Sequence, residues 1–112
     1  MTTKNKTPIS DNSMTFLENL TGKKVTMGYL LWSIRACEAL SQVDFSKTLG
    51  VSRQYLCDLE HNRRIVSAKT AAGFASKLGY SPMHFIQIAM QDELNKYGFN
   101  FDIQLTEHKK AA

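Results

Sequence analysis

Residues 41–60, SQVDFSKTLGVSRQYLCDLE, predict two short helices joined by a tight turn. Ser41 is a favourable N-cap for the first helix, and Gly50 is suited to the left-handed conformation that commonly ends a helix. Ser52 follows almost at once as the N-cap of the second helix. The apolar residues recur at helical spacing, which predicts that both helices pack into one core. The inward-facing positions are Phe45, Leu49, Leu56 and Leu59.

The N-terminal end of the second helix carries Arg53 and Gln54 on its exposed side. Ser46 is small at a buried position of the first helix, so the second helix can cross it closely. An Arg can make two hydrogen bonds to guanine and a Gln two to adenine, so these side chains suit the major groove of DNA. An ordinary helical hairpin with solvated polar residues is the alternative, but the ordered set of caps, small residue and turn glycine favours a DNA-reading pair.

Further helices flank this pair. Apolar residues at helical spacing predict one helix before it, over about 26–39, and two after it, over about 67–78 and 81–96. A short helix is expected over 14–20. The polar residues 1–13 are expected to form a disordered arm.

The hydrophobic period changes from 3.6 to 2 after Gly98. Over 99–106 apolar residues alternate with polar ones, which predicts a single half-buried β-strand. A solitary strand leaves backbone groups unpaired, so we expect it to pair with the same strand of a second subunit or with another protein. The charged tail 107–112 is expected to be mobile. The apolar side chains of the predicted strand are Phe99, Phe101, Ile103 and Leu105.

Composition narrows the class of protein. The 112 residues carry a net charge of +4 and are 43% hydrophobic, which fits one domain over 14–98 and favours a polyanionic partner. No apolar run could span a membrane and the N-terminus lacks a signal-peptide pattern, so a cytoplasmic protein is expected. Cys37 and Cys57 are expected to stay reduced, and no residues stand at the spacing of metal ligands, so neither metal nor cofactor is expected. No nucleophile, base and orienting group stand in a plausible arrangement, so we do not expect an enzyme.

Residues 40–64, LSQVDFSKTLGVSRQYLCDLEHNRR, closely resemble the Cro and phage-repressor helix-turn-helix family, also called the xenobiotic-response-element family. The resemblance covers about 27–95. It implies a compact domain of five helices whose third helix is the recognition helix. With the flanking elements, the expected fold is all-α, with a short N-terminal helix before the domain and a C-terminal β-strand after it.

The resemblance implies roles for individual side chains. Arg53, Gln54 and Asp58 match the base-reading positions. Family members often carry Gln, Lys or Asn at the third of these, so Asp58 departs from the pattern. Its carboxylate either accepts from cytosine N4 or faces solvent and repels phosphate. Arg35 and Glu60 match a buried salt bridge between the first and third helices, with unpaired surface charge as the alternative.

A second group of side chains is expected, by the same resemblance, to contact the DNA backbone. Asn62 stands where the family carries a glycine, and Asn tolerates a positive φ. Ser52 matches a contact to phosphate or a base edge. Tyr55 touches a thymine methyl group or a phosphate, or packs sideways. The predicted phosphate-binding residues are Gln42, Ser52, Tyr55, Asn62, Arg63, Arg64 and Lys69.

Regulators of this family usually bind palindromic operators as two-fold dimers. The resemblance therefore implies a homodimeric transcriptional repressor that binds double-stranded DNA. HigA-type antitoxins share the pattern, repress their own operon and bind a protein toxin, so an antitoxin is the alternative. A toxin-sized reading frame in the same operon would favour the antitoxin.

Overall fold

The computed structural model describes residues 25–108. The predicted arm over 1–13 and the short helix over 14–20 lie outside the described residues, as does 109–112 of the tail. The regular structure of the described part consists of five helices: α1 (Met27–Cys37), α2 (Gln42–Leu49), α3 (Arg53–Glu60), α4 (Ala68–Leu78) and α5 (Pro82–Lys96).

Side-chain caps mark where four of the five helices begin. Thr26, Ser41, Ser52 and Ser67 each accept a hydrogen bond, through the side-chain hydroxyl oxygen, from the backbone N–H three residues further on. Each bond satisfies one of the N–H groups that have no partner inside the helix. At the other end, Gly50 and Gly79 follow α2 and α4 with φ of 77° and 80°. The α2–α3 turn is therefore short because a glycine ends one helix and a serine begins the next.

One apolar core lies between the five helices, and α3 packs on both α1 and α2. Leu56 and Leu59 have no exposed surface, and complete burial of a leucine contributes about 1.5–3 kcal/mol. They hold one side of α3 on the core, so the opposite side faces solvent. The buried apolar residues are Val25, Met27, Leu30, Leu31, Ile34, Phe45, Leu49, Leu56, Leu59, Val66, Ala71, Phe74, Ala75, Phe85, Ile88 and Ala89.

A buried glycine allows α1 and α3 to approach backbone to backbone. A methyl group added to Gly28 would overlap the carbonyl oxygen of Leu59 and lie 2.6 Å from Oδ1 of Asn62. The hydrogen of glycine is the only side chain that fits between these helices. Gly28 therefore sets how closely the end of α3 lies against α1.

The β-strand predicted over 99–106 is wrong. Within residues 25–108 no strand is present, and the chain after α5 has no regular secondary structure. Its alternating apolar residues do not form one buried face: Phe99 and Phe101 are 51% and 66% exposed, whereas Ile103 and Leu105 are half-buried. No second strand in this part of the chain offers a ladder of partners.

Side-chain amides of α5 replace the missing strand. Gln91, which is only 8% exposed, donates from Nε2 to the carbonyl of Phe101 at 2.7 Å and accepts at Oε1 from the N–H of Ile103 at 2.8 Å. Gln87 accepts from the N–H of Leu105 at 3.4 Å. A parallel neighbouring strand would bond the same kind of carbonyl and N–H, two residues apart. The segment thus satisfies part of its backbone on its own domain.

A carboxylate of α5 caps the first helix. Asp92 accepts a hydrogen bond at Oδ2 from the N–H of Met27, the first residue of α1, at 2.9 Å. Burial raises the pKa of Asp92 to about 6, against an ordinary value of 3.8, and the bond from Met27 offsets only part of this rise. A charged Asp92 therefore makes the folded protein less stable than a neutral one would.

We expect Asp92→Asn to stabilise the protein near neutral pH. The folded state binds the proton of Asp92 more tightly than the unfolded state does. Protonation of Asp92 therefore stabilises the fold fully below about pH 4, and this stabilisation is lost as pH rises through about 6. Asn keeps an acceptor for Met27 without the charge, so the variant should gain on the order of 1–3 kcal/mol at pH 7 and nothing at pH 4. Urea unfolding across this range measures the difference. Glu107→Gln, which removes an exposed carboxylate, is the control, and parallel profiles for wild type and Asp92→Asn would contradict the expectation.

Candidate nucleic-acid interface

The exposed side of α3 presents the side chains that the sequence predicts to read bases. Arg53 and Gln54 are exposed in the first turn, while Leu56 and Leu59 face the core. The hydroxyl oxygen of Ser52 accepts from the N–H of Tyr55 at 3.0 Å, which leaves the hydroxyl hydrogen available to an external acceptor. The helix therefore begins with polar side chains directed outward from a fixed base.

A salt bridge ties the far end of α3 to α1. Arg35 donates from Nε to Glu60 Oε2 at 2.7 Å and from Nη2 to Oε1 at 3.0 Å. The side chains are 19% and 3% exposed, so the sequence-predicted pair is brought together in a largely buried position. The third guanidinium nitrogen, Nη1, donates to the carbonyl of Leu40 at 3.0 Å. The bond to Glu60 raises the pKa of Arg35 above its ordinary value.

Gln42 extends this bridge to the recognition surface. Its Nε2 donates to Glu60 Oε1 at 2.9 Å, and its Oε1 accepts from Arg53 Nη1 at 3.0 Å. Because a carboxylate only accepts, Glu60 determines which end of the Gln42 amide faces Arg53. A continuous chain of hydrogen bonds thus runs from Arg35 to Arg53 and orients the arginine at the start of α3.

Asp58 lies one turn after Gln54 and holds two of the predicted DNA contacts. Its Oδ1 accepts from Gln54 Nε2 at 3.0 Å and from Arg63 Nε and Nη2 at 3.0 and 2.9 Å. The hydrogen bond from Arg63 is the main reason that the pKa of Asp58 lies below its ordinary value. The sequence singled out these three residues but not their mutual bonds.

The loop after α3 places basic side chains beside the recognition helix. Asn62 adopts a φ of 58°, a conformation that Asn tolerates. The guanidinium of Arg64 lies 4.5 Å from the ring centre of Tyr55, an attractive contact between a cation and an aromatic face. Tyr55 itself packs against the core, which corresponds to the sideways packing that the sequence left open. Lys69 is exposed in the first turn of α4.

An open cavity of about 510 Å³ adjoins the bridge between α1 and α3. The rings of Tyr29 and Trp32 stack on its wall, with centroids 5.9 Å apart. Trp32 is 46% exposed. Sequence reasoning did not place these aromatics beside the site, and the one available signal was that Trp32 falls outside the apolar stripe of α1. The lining residues are Tyr29, Trp32, Arg35, Gln42, Glu60, His61 and Asn62.

Three further features of residues 25–108 bear on the sequence-based expectations on metal binding, disulfides and membrane spans. This part of the chain contains no cluster of three or more His, Cys, Asp or Glu side chains able to hold a metal ion. Cys37 and Cys57 are both free thiols. No helix within it is long and apolar enough to cross a membrane.

Comparison with known proteins agrees with this geometry. Residues 38–85 match the family HTH_3, described as Helix-turn-helix, and this segment contains α2, α3 and α4. The ImmF control region 10 kDa protein of Bacillus phage phi105 is 41% identical over 56 residues, which are 50% of this chain and 60% of that protein. The chain thus spans about 60% of the length of this relative. No solved structure matches.

Residues 38–85 match a helix-turn-helix family, and this match together with the phage relative confirms the resemblance to the Cro/phage-repressor family drawn from residues 40–64. The relative is, by its name, a protein of a phage control region. The HigA-type assignment is not supported by these comparisons and stays a prediction from sequence.

Proposed function

We propose that this protein is a transcriptional regulator that binds a specific double-stranded DNA sequence with α3 in the major groove. The observation that carries the proposal is the outward-facing first turn of α3, where the chain of bonds through Gln42 orients Arg53. In a helical hairpin without a binding function, nothing would require the buried Arg35–Glu60 pair and the Gln42 amide to hold a surface arginine in one orientation. The family of the domain and the net charge of +4 support the same conclusion.

Base reading falls to the first turn of α3. Arg53 donates from Nη1 to Gln42, and its Nε and Nη2 make no hydrogen bond to residues 25–108. An arginine fixed in this way can donate two hydrogen bonds to guanine O6 and N7. Gln54 stands beside it as a reader of adenine. The proposed phosphate contacts are Gln42, Ser52, Asn62, Arg64 and Lys69. Arg63, which the sequence also predicts as a phosphate contact, is bonded to Asp58 through Nε and Nη2.

We further propose that the protein represses transcription as a homodimer on a palindromic site. Phe99 and Phe101 are exposed and stack with ring centroids 6.3 Å apart. Tyr97, two residues before Phe99, is 62% exposed. Gln91 bonds the carbonyl of Phe101 to α5, and we assign these three aromatic side chains to the interface with a second subunit. Two recognition helices would then lie about 34 Å apart, one turn of DNA.

Replacement of Arg53 or Gln54 by Ala should weaken the preference for the specific sequence. A duplex enriched from a randomised pool provides the specific ligand, and a scrambled duplex provides the random one. Each replacement should weaken specific binding by about 1–3 kcal/mol and relax the preference at one base pair of each half-site. Lys47→Ala, which removes one exposed charge from the last turn of α2, controls for charge alone. Equal ratios of specific to random affinity in all variants and wild type would disprove base reading by the first turn of α3. A pool that yields no enriched duplex would disprove it as well.

A further inference from the structure

Asp58 is a negative charge on the surface that faces DNA in the proposed function. One of its two carboxylate oxygens, Oδ1, accepts three hydrogen bonds, one from Gln54 and two from Arg63, all within 3.0 Å. The side chain of Asp58 is 24% exposed and that of Arg63 is 52% exposed. The cluster is therefore open to an approaching DNA duplex but already bonded within itself.

The bond to Asp58 fixes the direction of the Gln54 amide. A carboxylate accepts hydrogen bonds and donates none, so the amide nitrogen of Gln54 must face Asp58. One N–H and the carbonyl oxygen of the amide remain for DNA. Adenine offers an acceptor at N7 and a donor at N6 in the major groove, so it matches this pair. A freely rotating amide would have to lose that freedom on binding.

The same carboxylate keeps Arg63 from acting as a free cation. Two of its guanidinium nitrogens are directed at Asp58 Oδ1, and Nη2 also lies 3.6 Å from the sulfur of Cys57. Affinity for random DNA depends on the number of cations that displace counterions from phosphates. Arg64, by contrast, stacks on the ring of Tyr55 and makes no hydrogen bond to a carboxylate of residues 25–108. The two neighbouring arginines are therefore not equivalent.

We propose that Asp58 sets the sequence specificity of this protein without reading a base itself: it orients Gln54 toward adenine and withholds Arg63 from phosphates. This inference rests on the proposed DNA-binding function. Asp58 is thus a positioning residue whose carboxylate favours the specific complex over random DNA. It differs from both sequence-based alternatives, in which Asp58 either accepts from cytosine or merely faces solvent.

Two replacements separate the two effects. Asp58→Ala removes both the orientation of Gln54 and the restraint on Arg63. Asp58→Asn keeps an acceptor oxygen for the Gln54 amide but loses the charge that holds Arg63. Asp44→Asn is the matched control, because it removes an exposed carboxylate from the first turn of α2. Each variant is titrated against the enriched and the scrambled duplex at several salt concentrations.

Both Asp58 variants should bind the scrambled duplex about three- to tenfold more tightly at 0.1 M salt, with a salt slope steeper by roughly one unit. Only Asp58→Ala should lose the preference for adenine at the base pair opposite Gln54. Asp44→Asn should match the wild type in both respects. In the free protein, the side-chain NMR signals of Gln54 and Arg63 should shift in Asp58→Ala, because the bonds exist without DNA.

Four results would overturn the inference. Unshifted Gln54 and Arg63 signals in Asp58→Ala would show that Asp58 positions neither side chain. Loss of preference at a cytosine, with unchanged random affinity, would show that Asp58 reads that base directly. Asp58 variants identical to Asp44→Asn, while Arg53→Ala still loses specificity, would overturn this inference and leave the proposed function standing. Absence of any preference in the wild type would overturn both.

Discussion

Replacement of Gly28 by Ala should destabilise the folded protein by at least about 3 kcal/mol and lower its Tm by more than about 10 °C. The added methyl group would overlap the carbonyl oxygen of Leu59, and Asn62 Oδ1 closes the site from the other side at 2.6 Å. A flexible side chain could rotate away from such a methyl group. A helix backbone cannot, so α1 and α3 would have to separate as whole helices.

Gly73 is the matched control for this replacement. It also lies inside a helix, α4, but a methyl group there would have, apart from its chain neighbours and the backbone of α4 itself, no atom of residues 25–108 within 4 Å. Gly73→Ala should therefore stabilise the protein by about 0.5–1 kcal/mol, because alanine has less freedom to lose on folding. Urea unfolding of the two variants measures opposite signs for the same chemical change. A loss at Gly28 no greater than about 1 kcal/mol would mean that the helices are not in backbone contact.

The helices of this domain follow from local signals, and for that reason the sequence predicts them well. Ser41, Gly50 and Ser52 act within four residues of their own positions, so caps and turn are visible without knowledge of the fold. The recognition surface follows from the same signals, since the leucines that face the core determine which residues of α3 face outward. The resemblance to the family added which partners to expect.

The strand over 99–106 shows where such reasoning stops. Alternation of apolar and polar residues is the same whether a segment pairs with a strand or lies against a helix. The segment lies against α5 because the side-chain amide of Gln91 hydrogen-bonds to the carbonyl of Phe101 and to the N–H of Ile103. Gln91 would have to be recognised as buried on α5 before its partners could be predicted, and glutamine is seldom buried.

Contacts across long separations were equally hidden. Gly28 looks in the sequence like a weak point early in a helix, because glycine lowers helix stability. Its significance depends on Leu59, thirty-one residues away. The bond from Arg63 to Asp58 spans only five residues, yet it depends on the path of the loop after α3. The sequence indicates the chemistry of each residue, but the partner that each residue contacts can be known only from the packed structure.

Glu60→Gln should be nearly as damaging as the change at Gly28. The carboxylate of Glu60 is 3% exposed and accepts three hydrogen bonds, two from Arg35 and one from Gln42. Gln lacks the charge, and its amide nitrogen would face a donor wherever it is placed. Loss of one partner from a buried ion pair leaves the other charge without compensation and costs about 3–5 kcal/mol. Arg35 is 19% exposed, so about 3 kcal/mol is expected.

A double-mutant cycle separates the pair from its surroundings. Arg35→Met, Glu60→Gln and the double variant are unfolded in urea beside wild type. The double variant should be more stable than the sum of the single losses predicts, by more than about 1 kcal/mol, because each single variant leaves one group unpaired. Glu93→Gln, which replaces an exposed carboxylate of α5, should unfold like the wild type.

The same variant should also affect DNA reading, because Glu60 orients Gln42 and Gln42 holds Arg53. Measured well below its Tm, folded Glu60→Gln should show part of the loss of specificity that Arg53→Ala shows, with random binding unchanged. A purely structural role would lower Tm and leave the ratio of specific to random affinity intact. Unfolding within a degree of wild type would show instead that the bridge is open to water in solution. Loss of stability together with partial loss of specificity is the result expected if the buried carboxylate orients the arginine that reads the base.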